Sequence, residues 1–170
     1  MIVREAKVSD AAGIAFVHVE SWKTTYQNIL PKEFLTNLSY KSREQFWETS
    51  IPKGNVFVAE NDEGKIVGFA SGGSERSGSY EEYKGELTSI YILKEYQGIG
   101  IGKQLMKSII KGIEKLGINT MLVLVLEDNN SKLFYEALGG KKIDEIEVEI
   151  AGKLLNELVY GWDNINDIFH

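Results

Sequence analysis

A run of glycines at alternate positions, between a strand-like segment and a helical one, constrains the fold of this chain most. Gly98, Gly100 and Gly102 follow an apolar, β-branched stretch (87–93) and precede an amphipathic stretch (103–116). A strand that turns through glycines into a helix exposes a row of backbone N–H groups at the positive end of the helix dipole. The pattern therefore predicts an α/β unit that binds a phosphorylated ligand at this turn.

The length and composition set the scale of the fold. With 170 residues, of which 43% are hydrophobic, the chain suits a single domain with one sizeable core over residues 1–170. It contains no cysteine, so disulfides and thiolate chemistry are excluded. The longest apolar run, 121–126, is too short to cross a bilayer, and the first residues lack the apolar core of a signal peptide. We therefore expect a cytoplasmic protein without a membrane partner.

The charge balance restricts the classes of partner. The formal net charge is −6, with an isoelectric point near 5.1, which argues against a nucleic-acid partner. An acidic surface favours a cationic substrate such as an amine, although ordinary solubility charge gives the same composition.

The periodicity of apolar residues predicts the element order β-α-α-β-β-β-α-β-α-β-β. Strands are expected at 2–6, 55–60, 65–71, 85–93, 120–126, 142–150 and 154–162. Helices are expected from Ser9 or Asp10 until the pattern blurs near Ser21, and at 41–48, 103–116 and 131–138. The segment 72–84, rich in Gly, Ser and Glu, is expected to be a mobile loop. These elements predict a mixed, mostly antiparallel sheet of about seven strands with helices on both faces, in which 85–93 and 120–126 are parallel.

Two common phosphate-binding motifs fail on spacing. A P-loop requires a glycine where Gln97 stands and a hydroxyl residue where Gln104 stands. A dinucleotide-binding fingerprint requires a third glycine at the position of Lys103, and no ribose-binding acid follows at the expected distance. Nucleoside triphosphates and dinucleotides are thus poor candidates for the ligand.

The run fits another pattern, Gln/Arg-x-x-Gly-x-Gly, with Gln97, Gly100 and Gly102 in place. Together with the flanking strand and helix, it resembles the pyrophosphate loop of the GNAT superfamily of acetyl-CoA-dependent N-acetyltransferases. The segment 129–140, an Asn followed by Phe-Tyr-Glu-Ala-Leu-Gly, is similar to the second signature of that family. The chain departs from the commonest pattern at Lys94, where Pro is frequent, and at Gly140, where Phe is frequent. The element order matches over essentially the whole chain.

This resemblance implies acetyl-CoA as cosubstrate, with no metal, and a set of cofactor contacts. The backbone amides from 98 to 103 would hold the pyrophosphate, and Gln97 would open the turn. The pyrophosphate set is Gly98, Ile99, Gly100, Ile101, Gly102 and Lys103. The strand residues Ile90, Tyr91 and Ile92 would pair with the pantetheine arm, and the Ile90 amide is the candidate donor to the thioester oxygen. This requires 120–126 to splay away from that strand.

Asn129 and Ser131, at the start of the helix after that splayed strand, complete the implied cofactor contacts. For Asn129 the alternative is that its side chain only caps the helix.

The resemblance also implies two candidate catalytic residues. Tyr135 would hydrogen-bond or protonate the leaving CoA thiolate, although it could instead be a Tyr packed on the sheet. Glu86 lies eleven residues before Gln97, where some relatives carry a Glu that deprotonates the acceptor, often through a water. The alternatives are that Glu86 is solvated at the start of its strand, or that a water chain removes the proton.

The acceptor side is less specific in the sequence. Trp22 and Tyr26 lie four residues apart and would share a helix face, where they could wall an acceptor pocket or belong to the core. His18 is expected to be a packed histidine, and no His, Asp or Glu cluster has metal-ligand spacing.

The sequence therefore predicts an N-acetyltransferase in which a primary amine of an undefined small molecule or peptide attacks acetyl-CoA directly in a ternary complex. The alternative is a non-enzymatic module that binds and senses acyl-CoA. The apolar tail 162–169 could join a second copy in a homodimer.

Overall fold

The computed structural model describes residues 1–169, so the domain predicted for 1–170 is described except for its last residue. The strands are β1 (Ile2–Glu5), β2 (Val56–Glu60), β3 (Ile66–Ser74), β4 (Gly85–Ile92), β5 (Met121–Leu126), β6 (Lys141–Ile150) and β7 (Lys153–Trp162). The helices are α1 (Ala11–Thr25), α2 (Lys32–Thr36), α3 (Tyr40–Ser50), α4 (Ile101–Lys115) and α5 (Ser131–Ala137).

The strands form one seven-stranded sheet in the order β1-β2-β3-β4-β5-β7-β6. Neighbouring strands are antiparallel except for β4 and β5, which are parallel and are connected through α4. The last hairpin folds back so that β7 lies between β5 and β6. The predicted fold class, a mixed and mostly antiparallel sheet with helices, is confirmed.

Both faces of the sheet centre are covered. The first six residues of β3 are all buried, and successive residues of a strand point to opposite faces. Phe69 packs edge-on against Trp47 of α3, at 5.1 Å between ring centroids. At Gly72, by contrast, an added Cβ would lie 3.1 Å from Ile109 of α4. The glycine is therefore what lets α4 approach the sheet closely.

Helix α4 has a left-handed glycine at each end. Gly100, at its N-cap, has φ +92°, and Gly117, just after it, has φ +79°. Residues with a Cβ adopt this conformation at a cost of about 1–2 kcal/mol, so glycine is favoured at both places. Between the two glycines the helix buries one apolar stripe against the sheet, formed by Ile101, Leu105, Met106, Ile109, Ile110 and Ile113.

The parallel strands β4 and β5 separate soon after they pair. Their register covers three residue pairs, from Gly85 with Met121 to Leu87 with Val123. Beyond Leu87, within residues 1–169, β4 has no strand partner on the β5 side. The expected splay between these strands is confirmed, and it opens a cleft towards their C-terminal ends.

Two sequence expectations about secondary structure are wrong in detail. Helix α1 does not fade near Ser21 but continues to Thr25, and the short helix α2 was not predicted. Thr24 lies within α1, and its hydroxyl donates to the carbonyl of Ser21 at 3.1 Å. Pro31 precedes α2, where proline is compatible with a helix start.

The segment 72–84, predicted as a mobile loop, is partly strand, and specific contacts hold the rest. Its first three residues belong to β3, and the Glu75 carboxylate accepts the backbone N–H groups of Ser77 and Gly78 at 2.7 and 2.6 Å. Long-range contacts fix the rest, because Tyr80 donates to Asp144 at 2.7 Å, and Tyr83 donates to Asp163 at 2.8 Å. Composition alone predicted mobility, since it carries no information about these distant partners.

The C-terminal segment is part of the core. Trp162 and Ile165 are buried in the main apolar cluster, and Ile168 and Phe169 pack against it. The indole N–H of Trp162 donates to the carbonyl of Leu138 at 3.0 Å. The apolar side chains that suggested a dimer surface therefore contact their own domain. No helix formed by residues 1–169 combines the length and the apolar character that crossing a membrane requires.

Candidate active site

The glycine turn after β4 presents unpaired backbone donors. The Gln97 side-chain amide donates to the carbonyl of Ile92 at 2.9 Å and closes the turn. Gly98 and Gly100 have φ of +77° and +92°, and no atom lies within 4 Å of a Cβ added at either. Within residues 1–169, the N–H groups from Gly98 to Lys103 donate to no backbone acceptor. Such donors at the N-terminus of a fifteen-residue helix suit a phosphate ligand.

A cavity of about 510 Å³ runs from this turn along the separated part of β4. Its walls hold most of the predicted cofactor residues, namely Ile90, Tyr91, Ile92, Gln97, Gly98, Gly100, Gly102, Lys103 and Ser131, together with Thr25, Phe134 and Tyr135. At Gly102 an added Cβ would lie 3.4 Å from the Phe134 ring. The size and the unpaired amides fit a pyrophosphate that continues into an extended chain.

Three predicted cofactor residues are not on these walls. The side chain of Ile101 is buried in the core, and that of Ile99 is exposed to solvent. Neither side chain reaches the cavity, and each residue contributes its backbone N–H to the turn. Asn129 is buried and lines a different cavity. Its Oδ1 accepts the N–H of Ser131, the first residue of α5, at 2.9 Å, while the N-cap position itself is Asn130 and makes no side-chain cap. A contact between Asn129 and the cofactor stays a prediction.

The second, smaller cavity of about 240 Å³ lies on the other side of the cleft. It shares Ile90, Tyr91, Ser131 and Tyr135 with the first cavity. Its other walls come from the end of α1, from β5, and from charged residues described below. Two ligands could therefore meet at these four shared residues.

Tyr135 of α5 lies where the cavities meet. It is 5% exposed, and its ring is held by the rings of Phe134, Tyr160 and Trp162. Its hydroxyl has no hydrogen-bond partner among residues 1–169, and burial raises the pKa of Tyr135 well above its ordinary value. The phenol is therefore protonated at neutral pH and free to donate. The Tyr135 ring is therefore packed against its neighbours, and its hydroxyl is nevertheless available to a ligand.

The aromatic wall of the smaller cavity includes both residues predicted for the acceptor. Trp22 and Tyr26 stack edge to face at 4.8 Å and line the cavity. The Tyr26 hydroxyl bonds the Tyr91 hydroxyl at 3.0 Å, and Asn129 donates to it at 3.5 Å. The same two residues pack in a satellite apolar cluster with Leu30. Trp22 and Tyr26 therefore belong to an apolar cluster and also line the cavity. Their contact with an acceptor stays a prediction.

Glu86 is buried, so the alternative that it is solvated at the start of its strand is wrong. It is 2% exposed, because β4 is covered where it pairs with β5. One carboxylate oxygen accepts from Arg76 Nη2 at 2.7 Å. The other accepts from Arg76 Nε at 3.2 Å and from the Arg76 backbone N–H at 3.1 Å. This ion pair raises the pKa of Arg76. Both oxygens of Glu86 are thus engaged by Arg76, and the use of Glu86 as a base stays a prediction.

Sequence reasoning missed two charged residues of this cavity, Arg76 and Glu157. Glu157 had a signal, because it alternates with the buried Leu155 and Val159 along β7, and alternate residues share a face. Arg76 had none, since it lies in a polar loop segment.

Two further expectations were made from the sequence for this region. His18 is a packed histidine as predicted, and its Nδ1 accepts from Trp47 Nε1 at 3.1 Å. Residues 1–169 contain no group of three acidic, His or Cys side chains able to hold a metal ion.

The sequence matches a known enzyme family. The Acetyltransferase (GNAT) family model matches residues 19–139, which is more than half of the chain and spans the turn, the cleft and α5. The chain belongs to the GNAT family and is an acetyl-CoA-dependent N-acetyltransferase of that family.

Individual relatives agree with this assignment. The chain is 44% identical over 167 residues, 96% of its length and 94% of the relative, to the uncharacterized N-acetyltransferase YuaI of Bacillus subtilis. It is 25% identical to the L-methionine sulfoximine/L-methionine sulfone acetyltransferase of Pseudomonas aeruginosa, covering 77% of this chain and 74% of that one.

Solved structures share the fold. The structure of yncA of Salmonella typhimurium, a putative acetyltransferase with its cofactor acetyl-CoA, aligns with a TM-score of 0.73 at 23% identity. The match covers 95% of this chain and 92% of that one. The paiA N-acetyltransferase of Thermoplasma acidophilum, in complex with coenzyme A, aligns with a TM-score of 0.67 at 22% identity, covering 92% and 96%.

Proposed function

We propose that the chain transfers the acetyl group of acetyl-CoA to a primary amine of a small molecule or peptide, by direct attack within a ternary complex. One observation carries the proposal. A cavity suited to an extended phosphorylated ligand and a smaller aromatic and acidic cavity meet at Tyr135. Two substrates bound side by side in these cavities need no covalent enzyme intermediate, and the chain has no cysteine to form a thioester.

The larger cavity would hold the cosubstrate. The amides from Gly98 to Lys103 would bind the pyrophosphate, and the unpaired edge of β4 from Ile90 to Ile92 would bind the pantetheine arm as a further strand does. The Ile90 amide remains the candidate donor to the thioester oxygen. When bound, acetyl-CoA supplies an activated acetyl group, and the turn and strand fix its position.

Tyr135 would assist the leaving group. Its hydroxyl is protonated, without a partner within residues 1–169, and placed where the cavities join. A hydroxyl so placed can donate to the departing sulfur, a contribution typically of 10²–10⁴ in rate for a positioned acid.

The acceptor class follows from the second cavity and from relatives. One relative is named for action on L-methionine sulfoximine and sulfone. Another, 36% identical over 58 residues, 34% of this chain and 40% of that one, is the ribosomal protein bS18-alanine N-acetyltransferase of Haemophilus influenzae. Both names indicate amine acceptors, one small and one peptidic. We also propose a cytoplasmic location for the protein, as the sequence predicts.

Two measurements on the purified chain test the proposal. Calorimetry with acetyl-CoA measures binding, and a thiol-release assay with a panel of primary amines measures transfer. We expect saturable binding and amine-dependent release of free CoA thiol. Binding without release for any amine would instead support the acyl-CoA-sensing alternative, and absence of binding would refute both.

A further inference from the structure

The smaller cavity holds two carboxylates that are bound very differently. Both oxygens of Glu86 accept hydrogen bonds from Arg76, and the group is buried. Glu157 faces the same cavity from β7, opposite Leu126 of β5, and is half-buried. Within residues 1–169 no donor bonds its side chain. Glu157 is thus the carboxylate of this cavity that is free to accept a proton.

The surroundings of Glu157 favour that role. Burial and the negative charge of Glu86 raise the pKa of Glu157, and the positive charge of Arg76 opposes them. A base is most effective when its pKa lies near the working pH, so this shift is in the useful direction. Tyr26 lines the same cavity as Glu157, and burial, with a smaller contribution from the Glu157 charge, raises the pKa of Tyr26.

Other elements around the cavity add few competing charges. The six residues of β5 are all apolar. The titratable and charged groups that line the cavity or couple to Glu157 are Tyr26 of α1, Arg76 and Tyr80 of the loop, Glu86 and Tyr91 of β4, and Tyr135 of α5.

The net charge of the cavity suits an ammonium group. Two carboxylates face one guanidinium, so one negative charge is uncompensated. Trp22 and Tyr26 add aromatic walls, and the Trp22 ring already has the Arg43 guanidinium at 5.6 Å from its centroid. The volume of about 240 Å³ is below that of pockets for drug-sized ligands, so a small amine or the end of a larger one fits.

We propose that Glu157 accepts the proton that the acceptor ammonium must lose before attack, and that the Glu86–Arg76 pair positions and tunes Glu157 without exchanging the proton itself. The inference rests on the proposed acetyl transfer and names the acceptor as a small cationic primary amine.

The proton balance is complete without a further reactant. The ammonium passes one proton to the Glu157 carboxylate. The neutral amine then forms the N–C bond with the acetyl carbon, and the C–S bond breaks with its electron pair on sulfur. The sulfur gains the second proton of the amine through the Tyr135 hydroxyl. Glu157 returns its proton to solvent, so one proton is released per acetyl group transferred.

The test compares three isosteric variants, Glu157→Gln, Glu86→Gln and Glu147→Gln. Glu147 is exposed on β6, outside the cavity, and serves as the matched control. The readouts are the pH profile of kcat/KM with the best amine of the panel, the Kd for acetyl-CoA, and thermal unfolding.

The three variants should separate clearly. Glu157→Gln should lower kcat/KM about 100-fold and abolish the fall in activity at acid pH, because the carboxylate that accepts the proton is gone. Glu86→Gln should keep that fall but move it to lower pH, since removing the Glu86 charge and releasing Arg76 both lower the pKa of Glu157. Glu147→Gln should stay within about twofold of wild type, and all three should bind acetyl-CoA alike.

Each alternative has its own signature. An unchanged pH profile in Glu157→Gln would overturn the inference, and loss of the acid limb in Glu86→Gln alone would make Glu86 the base. If Glu157→Gln does not fold, Glu157→Asp replaces it. This variant should keep the fall in activity at acid pH and reduce kcat about tenfold. An Asp variant with the activity of wild type would count against Glu157 as the base. If wild type itself transfers acetyl to no amine, the proposed function fails, and the inference fails with it.

Discussion

The two sides of the cleft are formed by different chemical groups, backbone amides on one side and side chains on the other. On the cosubstrate side, the turn 97–103 offers backbone N–H groups whose positions follow from left-handed glycines and a helix start. On the side that we propose for the acceptor, α1, the loop after β3, β4 and β7 contribute the side chains of Trp22, Arg76, Glu86 and Glu157. The glycine turn is local and offers backbone groups, and the smaller cavity is assembled from distant side chains.

If the proposed function holds, the donor would be bound mainly by backbone groups and the acceptor mainly by side chains. A backbone site tolerates most substitutions, because any residue carries the same N–H, and only the glycines are restricted. A side-chain site changes its chemistry with each substitution. Four substitutions can test this contrast, and they follow from the largest expected effect to the smallest.

The largest effect is expected at the glycine turn. Gly100→Ala places a Cβ in the open space beside the unpaired amides and strains a residue at φ +92°. We expect affinity for acetyl-CoA to fall about 100-fold, close to 3 kcal/mol. Gly117→Ala is the matched control, because it imposes the same strain at the other end of α4. Calorimetry should show a weakened Kd in the first variant alone, and equal losses in both would show that strain, not the site, is responsible.

Tyr135→Phe probes the point where the two sides meet. We expect kcat to fall roughly 30-fold, because the departing sulfur loses its donor, while the Kd for acetyl-CoA is unchanged. Tyr160→Phe is the control, since its hydroxyl donates to Glu136 and lies outside both cavities. Steady-state kinetics with calorimetry separate the two quantities. Full turnover in Tyr135→Phe would remove this residue from the mechanism.

Trp22→Leu distinguishes an acceptor wall from ordinary core. If Trp22 contacts the acceptor, its loss should raise the acceptor KM about tenfold, with acetyl-CoA binding intact. Phe34→Leu is the comparison, because Phe34 packs against Trp22 at 6.5 Å but does not line the acceptor cavity. Both variants should lose stability, and a KM equal in the two would assign Trp22 to the core alone.

The smallest effect concerns pH and the aromatic cluster under the acceptor cavity. His18 stacks on Tyr91, and burial together with the Arg43 charge lowers the pKa of His18 to about 4. An unfolded His titrates near 6.5, so the unfolded chain binds more protons below that pH, and stability falls as pH drops from about 6.5 towards 4. Between pH 7.5 and 5.5 the loss should be about 1 kcal/mol.

Urea unfolding of wild type and His18→Gln at both pH values measures this term. The glutamine keeps an acceptor for the Trp47 indole but does not titrate, so its stability should lack this component of the pH dependence. Parallel pH curves for the two proteins would contradict the assignment.

The same contrast decides what could be predicted from sequence. The strand order along the chain, the parallel pair and the glycine turn were predictable, because periodicity and glycine spacing act over a few residues. The burial of Glu86 was not, since it depends on Arg76, which the chain brings back from a polar loop. Glu157 was overlooked although its register on β7 is inward, because one charged residue in an alternating strand resembles surface charge.

The short pairing of β4 with β5 divides the sheet mechanically. Four strands on one side and three on the other are joined by three residue pairs, with α4 as the covalent bridge. A ligand bound along the free edge of β4 would connect these two parts of the sheet. We therefore expect cosubstrate binding to raise the melting temperature and to slow amide hydrogen exchange in both parts of the sheet. The rigidity of the whole sheet then becomes a measure of how much cosubstrate is bound.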